Sequence, residues 1–139
     1  MTLLTRIVPF DTGSVFAAWT DPDVFARWAG PDGYDVPRDL VTIDPRVGGR
    51  YDYCLVRDGE RYWLRNEITE LRPPGLLAFV SDPMPEYGVP DPVTTRVELE
   101  ETADGTRLTL HRPYPPERLE SARAGWSASI DKLETVLGT

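Results

Sequence analysis

The stretch ERLESARAGWSASIDKLETVLG, residues 117–138, carries Leu119, Ala122, Trp126, Ile130, Leu133 and Leu137 at spacings of three and four. That period lines them up as one apolar stripe on a helix running from about residue 117 to 137. Pro115 and Pro116 precede it, and Gly138 follows it, where glycine commonly ends a helix. A helix with a single apolar stripe must bury that stripe against a second layer. What lies upstream decides which layer that is.

Upstream the chain is mostly strand. LLTRIVPF, residues 3–10, is rich in β-branched side chains, and further strand-like runs fall at about residues 34–43, 50–57, 61–71, 76–81, 94–101 and 106–112. Asp58-Gly59 and Asp104-Gly105 are hairpin dipeptides, and Pro73-Pro74-Gly75 permits neither strand nor helix to continue. Strands joined by such short turns pair antiparallel. Two short helices interrupt the start of this series. Asp11 is placed to cap TGSVFAAWT, with Val15, Ala18 and Trp19 on one face. Asp21-Pro22 opens the second, with Val24, Phe25 and Trp28 on its apolar side, and AGPDGY ends it. The connection over residues 81–93 holds four prolines and a glycine, so it is either a functional lid or disordered.

The expected fold is therefore α+β. A curved antiparallel sheet of six to seven strands carries two short helices, and the long C-terminal helix packs across its concave face. A long helix laid over a curled sheet leaves a gap, which large side chains or a ligand must fill. No linker, repeat or low-complexity tract divides the sequence, so residues 1–139 read as a single domain.

Composition narrows the function classes. Twenty-three acidic against fifteen basic residues give a net charge of -8, which disfavours nucleic acid as a partner. No run approaches the ~20 apolar residues of a membrane span, and MTLLTRIVPFD lacks the basic leader and long apolar run of a signal peptide. One cysteine, Cys54, excludes an internal disulfide and fits a cytoplasmic location. One histidine, His111, removes the usual histidine metal clusters, so neither a metal nor another cofactor is expected.

Several segments, in order, resemble one family. AAWTDPDVFARWAGPDGY is similar to its helix pair, DPRVGGRYDY to its double-glycine strand start, EITELRPPGLLAF to its strand, double-proline turn and strand, and GWSASIDKLETVL to its closing helix. The family is the START-like, helix-grip superfamily (SRPBCC; polyketide cyclase/dehydratase and lipid-transport type), in the branch of heat-shock-protein-ninety ATPase activator homologues. The chain departs from that pattern at Ala29, where a second tryptophan is common, and at Asn66, where a glycine is common. The resemblance implies a helix-grip fold, and it leaves the chemistry open.

The candidate sites follow from alternation. Gly48-Gly49 opens a strand and lacks the Lys-Ser/Thr of a phosphate loop, so it reads as a bend. Tyr51, Tyr53 and Leu55 share one strand face, and Asp52, Cys54 and Val56 the other. The tyrosines are cavity-wall candidates, with plain core or surface as the competing role. Trp28, just before the AGPDG break, suits a cavity mouth. Trp63 lies on one face of its strand with Tyr62 and Leu64 on the other, and one of those sets lines the concave side. Phe79 and Trp126 complete the cavity candidates, Trp126 also fitting the core stripe. Ser121, Gly125 and Ser129 either leave room under the helix or let it approach closely.

No catalytic residue is identified. Cys54 has no neighbouring base, and Leu108 and Leu110 facing the core would point His111 away from it. Glu67 and Glu70 have no readable geometry. Three functions compete. The first is binding of a small hydrophobic or aromatic molecule in the helix–sheet cavity. The second is a cyclase-, dehydratase- or hydrolase-type enzyme using that cavity. The third is a protein-interaction module of the chaperone-activator type. A homodimer through an exposed sheet face or edge is a further option.

Overall fold

In a computed structural model, which describes residues 2–87 and 91–139, the strand-rich middle of the chain folds into two connected antiparallel sheets. β1 (Thr2–Val8) leads into α1 (Thr12–Thr20) and α2 (Pro22–Trp28). β2 (Thr42–Ile43), β3 (Tyr51–Arg57) and β4 (Glu60–Leu64) form one sheet in that order. β5 (Asn66–Arg72), β6 (Leu76–Ser81), β7 (Thr94–Thr102) and β8 (Gly105–His111) join β1 in the other, ordered β1-β8-β7-β6-β5. α3 (Leu119–Leu137) closes the chain. The expected α+β architecture, a curved antiparallel sheet under a long C-terminal helix, is the one observed.

The helix starts follow the sequence signals. Asp11 accepts from the Ser14 backbone N–H at 3.0 Å, and Asp21 accepts from that of Asp23 at 2.9 Å, so each carboxylate satisfies a donor the helix leaves free. Pro22 sits in the first turn of α2, where no N–H is missed.

Two expected strands come out differently. Residues 34–43 give a bridge at Asp35, a 3-10 turn at Arg38–Leu40 and only the two-residue β2. Pro37 stands at the head of that turn and cannot donate to a ladder. Residues 61–71 split into β4 and β5, which belong to different sheets. The corner between them is held by polar bonds. Asn66 donates its side-chain amide to the Tyr51 carbonyl at 2.7 Å and its backbone N–H to Asp52 at 2.8 Å. Arg50 bridges Asp52 and Asp82 at 3.0 and 2.8 Å.

The Gly48-Gly49 pair lies at the same corner. The Gly48 N–H donates to the Ile68 carbonyl and the Ile68 N–H to the Gly49 carbonyl, both at 2.8 Å, stitching the start of β3 to β5. A Cβ at Gly49 would fall 2.1 Å from the Asp44 carbonyl oxygen, so only glycine permits the approach. The double glycine is a bend, and a shift in the β5 register between Ile68 and Glu70 adds to the curvature.

Side chains divide by face. Val97, Leu99, Leu108, Leu110, Ile68 and Phe79 are buried on the concave side. The convex side is charged, with Arg96 paired to Glu70 and Glu98, and Arg107 to Glu100. The proline-rich connection is clamped at its base, where Ser81 and Val93 exchange bonds at 2.8 Å. The lid-or-disorder alternative falls partly on residues 88–90, outside the described residues.

α3 closes on this layer unevenly. Its fully buried residues, Ser129, Ile130 and Leu133, all lie in the C-terminal half. Ile130 and Leu133 have no exposed surface, and burial of each contributes about 1.5–3 kcal/mol. Arg6 of β1 pairs with Asp131 and Glu134 there. In the N-terminal half Leu119, Ala122 and Trp126 are only half-buried. The helix stands away from the sheet at that end.

Candidate functional site

The space under the N-terminal half of α3 is a cavity of about 470 Å³. β3 and β4 supply Tyr53, Leu55 and Leu64 from below, and α3 supplies Ala122, Gly125, Trp126 and Ser129 from above. Gly30, Pro31 and Tyr34, after α2, form one side, and Arg112 and Tyr114, after β8, form the other, with Arg118 and Ser121 at the helix start. A Cβ at Gly125 would meet Pro31 at 3.5 Å, an ordinary contact. The small residue there leaves room and is not forced by close approach. Ser129 does the opposite, donating to the Gly30 carbonyl at 2.8 Å, while Lys132 reaches the same oxygen at 2.6 Å. α3 is thus tied to the loop after α2 at the edge of the cavity.

The walls are braced. Trp126 stacks on Trp19 at 6.1 Å and donates its indole N–H to the Tyr114 hydroxyl at 3.0 Å. Arg112 lies over the Tyr114 ring at 5.2 Å and donates Nη1 to the buried Thr95 hydroxyl at 2.8 Å. Its Nε is shut from solvent without an acceptor. Burial pushes the Tyr53 phenol up to about 12, against a smaller opposing effect of the Arg112 charge. Tyr53 therefore stays protonated at neutral pH. Among the described residues no aspartate or glutamate lines the cavity.

The family model for activator of Hsp90 ATPase homolog 1-like proteins matches residues 10–138. The chain belongs to this family. The family is part of the SRPBCC, START-like superfamily that the sequence resembles. Solved structures agree on the fold. A Chromobacterium violaceum protein has a TM-score of 0.84 at 24% identity, over 96% of this chain and 93% of its own. The AHSA1 protein of Silicibacter pomeroyi has a TM-score of 0.82 at 25% identity, over 97% and 95%. A Nitrosomonas europaea protein has a TM-score of 0.83 at 23% identity, over 97% and 92%. No curated protein matches the chain. Membership supports a ligand-binding or activator-type domain. Among the described residues no helix is long and apolar enough to cross a membrane.

The six residues expected at the cavity of this Hsp90-activator-like domain separate into groups. Tyr53 and Trp126 border it. Trp28, Tyr51 and Phe79 do not, because they form the aromatic core alongside. Trp28 meets Trp19 edge-on at 4.8 Å and bonds the Ala18 carbonyl at 2.8 Å. Tyr51 stacks on Phe79 at 4.4 Å and donates to the Trp19 carbonyl at 2.5 Å. Trp63 is on the far face of β4, under the Arg65 guanidinium at 4.5 Å. The reason is register. Tyr53 pairs with Leu64 and Leu55 with Tyr62, so Trp63 shares the Cys54 side.

The acid–base candidates lie elsewhere. His111 is on the convex face, its Nδ1 3.1 Å from the Thr2 hydroxyl and its Nε2 against Glu98. Glu67 is exposed and Glu70 pairs with Arg96 on that face. Cys54 is buried, and that burial raises its thiol, against the thiolate form a nucleophile needs. The strand order missed Arg112 and Tyr114. Arg112 had a signal, since it continues the Leu108, Leu110 parity that turns His111 away. Tyr114 lies beyond the strand, where parity no longer holds.

Proposed function

We propose that this domain binds a small hydrophobic or aromatic molecule between β3–β4 and the N-terminal half of α3. The observation that carries the reading is a 470 Å³ cavity, walled by Tyr53, Leu55, Leu64 and Trp126, beneath helix positions held by alanine and glycine. Ligand pockets of about 300–1,000 Å³ with apolar walls and a few polar groups are the usual form of such sites. Of the acid–base groups a cyclase, dehydratase or hydrolase would recruit, His111, Glu67 and Glu70 are absent from that wall, and the perturbed tyrosine that remains, Tyr53, is held protonated. We therefore set binding ahead of turnover.

The test uses the full chain and the neutral fluorescent probe N-phenyl-1-naphthylamine. Ala122→Trp, which fills the cavity from above, weakens the probe by about tenfold or more. Its unfolding midpoint stays within about 4 °C of the parent. Equal affinity in the filled variant defeats the reading. So does absence of probe binding combined with no co-purifying molecule in native mass spectrometry.

The family description supports a second reading, a protein-interaction module of the chaperone-activator type. Its check is the ATPase rate of an Hsp90-type chaperone with and without the domain; unchanged turnover discards it.

A further inference from the structure

We propose that the ligand is an amphipathic acid, its apolar body against Trp126, Leu55 and Leu64 and its carboxylate held at Arg112 and Tyr114. This rests on the binding reading above. The chain carries eight more acidic than basic residues, yet among the described residues the cavity is lined by two arginines and no carboxylate side chain. A wall with the opposite sign to the chain is the arrangement that gathers an anion and excludes a cation.

Arg112 is the centre of that wall. Thr95 takes Nη1, Nε is buried without an acceptor, and the guanidinium lies over the Tyr114 ring. Among the described residues no carboxylate pairs with it. It has lost part of its hydration without gaining a counter-charge, and only an anion supplies one. Arginine keeps its charge at any working pH and matches a carboxylate in shape.

Tyr114 adds direction. An indole N–H can only donate, so in the Trp126–Tyr114 bond the phenol oxygen accepts. The phenol proton is left to point away from Trp126, available to an oxygen in the cavity. Tyr53, held protonated beside Arg112, offers a second O–H. Cation and hydroxyl donors thus line the same cavity as the apolar side chains of Leu55, Leu64 and Trp126.

Isothermal titration of the full chain at pH 7 compares 2-naphthoate with 2-naphthamide, and decanoate with decanamide. The two pairs tell an aromatic acid from an aliphatic one. The parent is expected to bind at least one acid about tenfold more tightly than its amide, the scale of one charge-assisted bond. Arg112→Gln removes that preference, bringing the ratio of acid to amide affinity to about one. Arg112→Lys, a variant that keeps the charge, retains a preference for the acid. Arg107→Gln, on the convex face where Arg107 pairs with Glu100, alters the preference by less than about threefold. Equal binding of acid and amide, or a preference that survives Arg112→Gln, overturns the proposal while leaving the cavity reading intact. Binding of neither member of either pair overturns both.

Discussion

Asn66→Ala tests whether the corner between the two sheets is held by one side chain. Asn66 is 2% exposed, and its Nδ2 lies 2.7 Å from the Tyr51 carbonyl. The backbone bond from Asn66 to Asp52 does not need the side chain and survives the substitution. What is lost is one buried amide–carbonyl bond, which leaves an acceptor shut away from water at a cost of about 1–3 kcal/mol. For a chain of this length about 1 kcal/mol corresponds to about 4 °C in the unfolding midpoint, so a fall of about 4–12 °C is expected. Asn66→Gly, the residue common in the family, falls by a further ~0.5–1 kcal/mol through added freedom of the unfolded chain. Calorimetric melting gives the midpoint, and amide exchange locates the damage. Exchange in β3 should quicken more than in β7, which is not joined to the corner. A midpoint within about 1 °C of the parent refutes the assignment of Asn66 as the corner's tie.

Two further outcomes follow from the buried groups. Tyr53 is raised from 10.0 to about 12 and Tyr51 is raised as well, both chiefly by burial, so the folded state favours the neutral phenols. Their stabilisation is complete below pH 10 and fades as the pH rises from there through the folded values, because the unfolded chain ionises first. Ultraviolet titration should therefore leave two of the six tyrosines neutral until the chain unfolds in alkali; smooth titration of all six near pH 10 contradicts this. Cys54 is fully buried with its thiol raised, so a disulfide reagent at pH 7 should label it only as fast as the protein opens, and quick labelling of the native chain contradicts that burial.

How much of this was legible depends on what each signal encodes. The caps at Asp11 and Asp21 and the stripe of α3 are local chemistry, and they appear as written. Alternation encodes a face and nothing more. It puts Tyr51 and Tyr53 together, but Tyr51 lies under Trp19 in the core, and Tyr53 lies two residues on, under the lifted end of α3. Which helix stands above a strand position is a tertiary fact. Trp63 was decidable with one more step. Asp58 and Gly59, with φ of 52° and 78°, make a two-residue turn that pairs Arg57 with Glu60. Counting back from that pair sets Tyr53 opposite Leu64 and Trp63 opposite Cys54. The split of residues 61–71 was less accessible. It depends on Asn66 and Asp52 meeting across the corner, a contact with no period in the sequence.

The cavity persists because its walls are tied on both sides of the gap. Close packing ordinarily leaves few interior voids larger than a water molecule, so an opening of about 470 Å³ beside a dense aromatic core needs a restraint that prevents collapse. Closing it would swing the N-terminal half of α3 toward β3. That movement has to break the Trp126–Tyr114 bond and slide Trp126 off Trp19. It also strains the bonds from Ser129 and Lys132 to the Gly30 carbonyl, which act as the pivot. On the other side Arg123 of α3 holds the Leu3 carbonyl at 2.9 Å, fixing the helix to β1 along its outer flank. The charge on Arg112 opposes collapse as well, since pressing Leu55 and Leu64 against an unpaired guanidinium removes its remaining water and supplies no anion. An acid of the proposed kind would relieve that penalty and fill the space at once, so on that proposal charge and apolar volume would answer the same structural deficit.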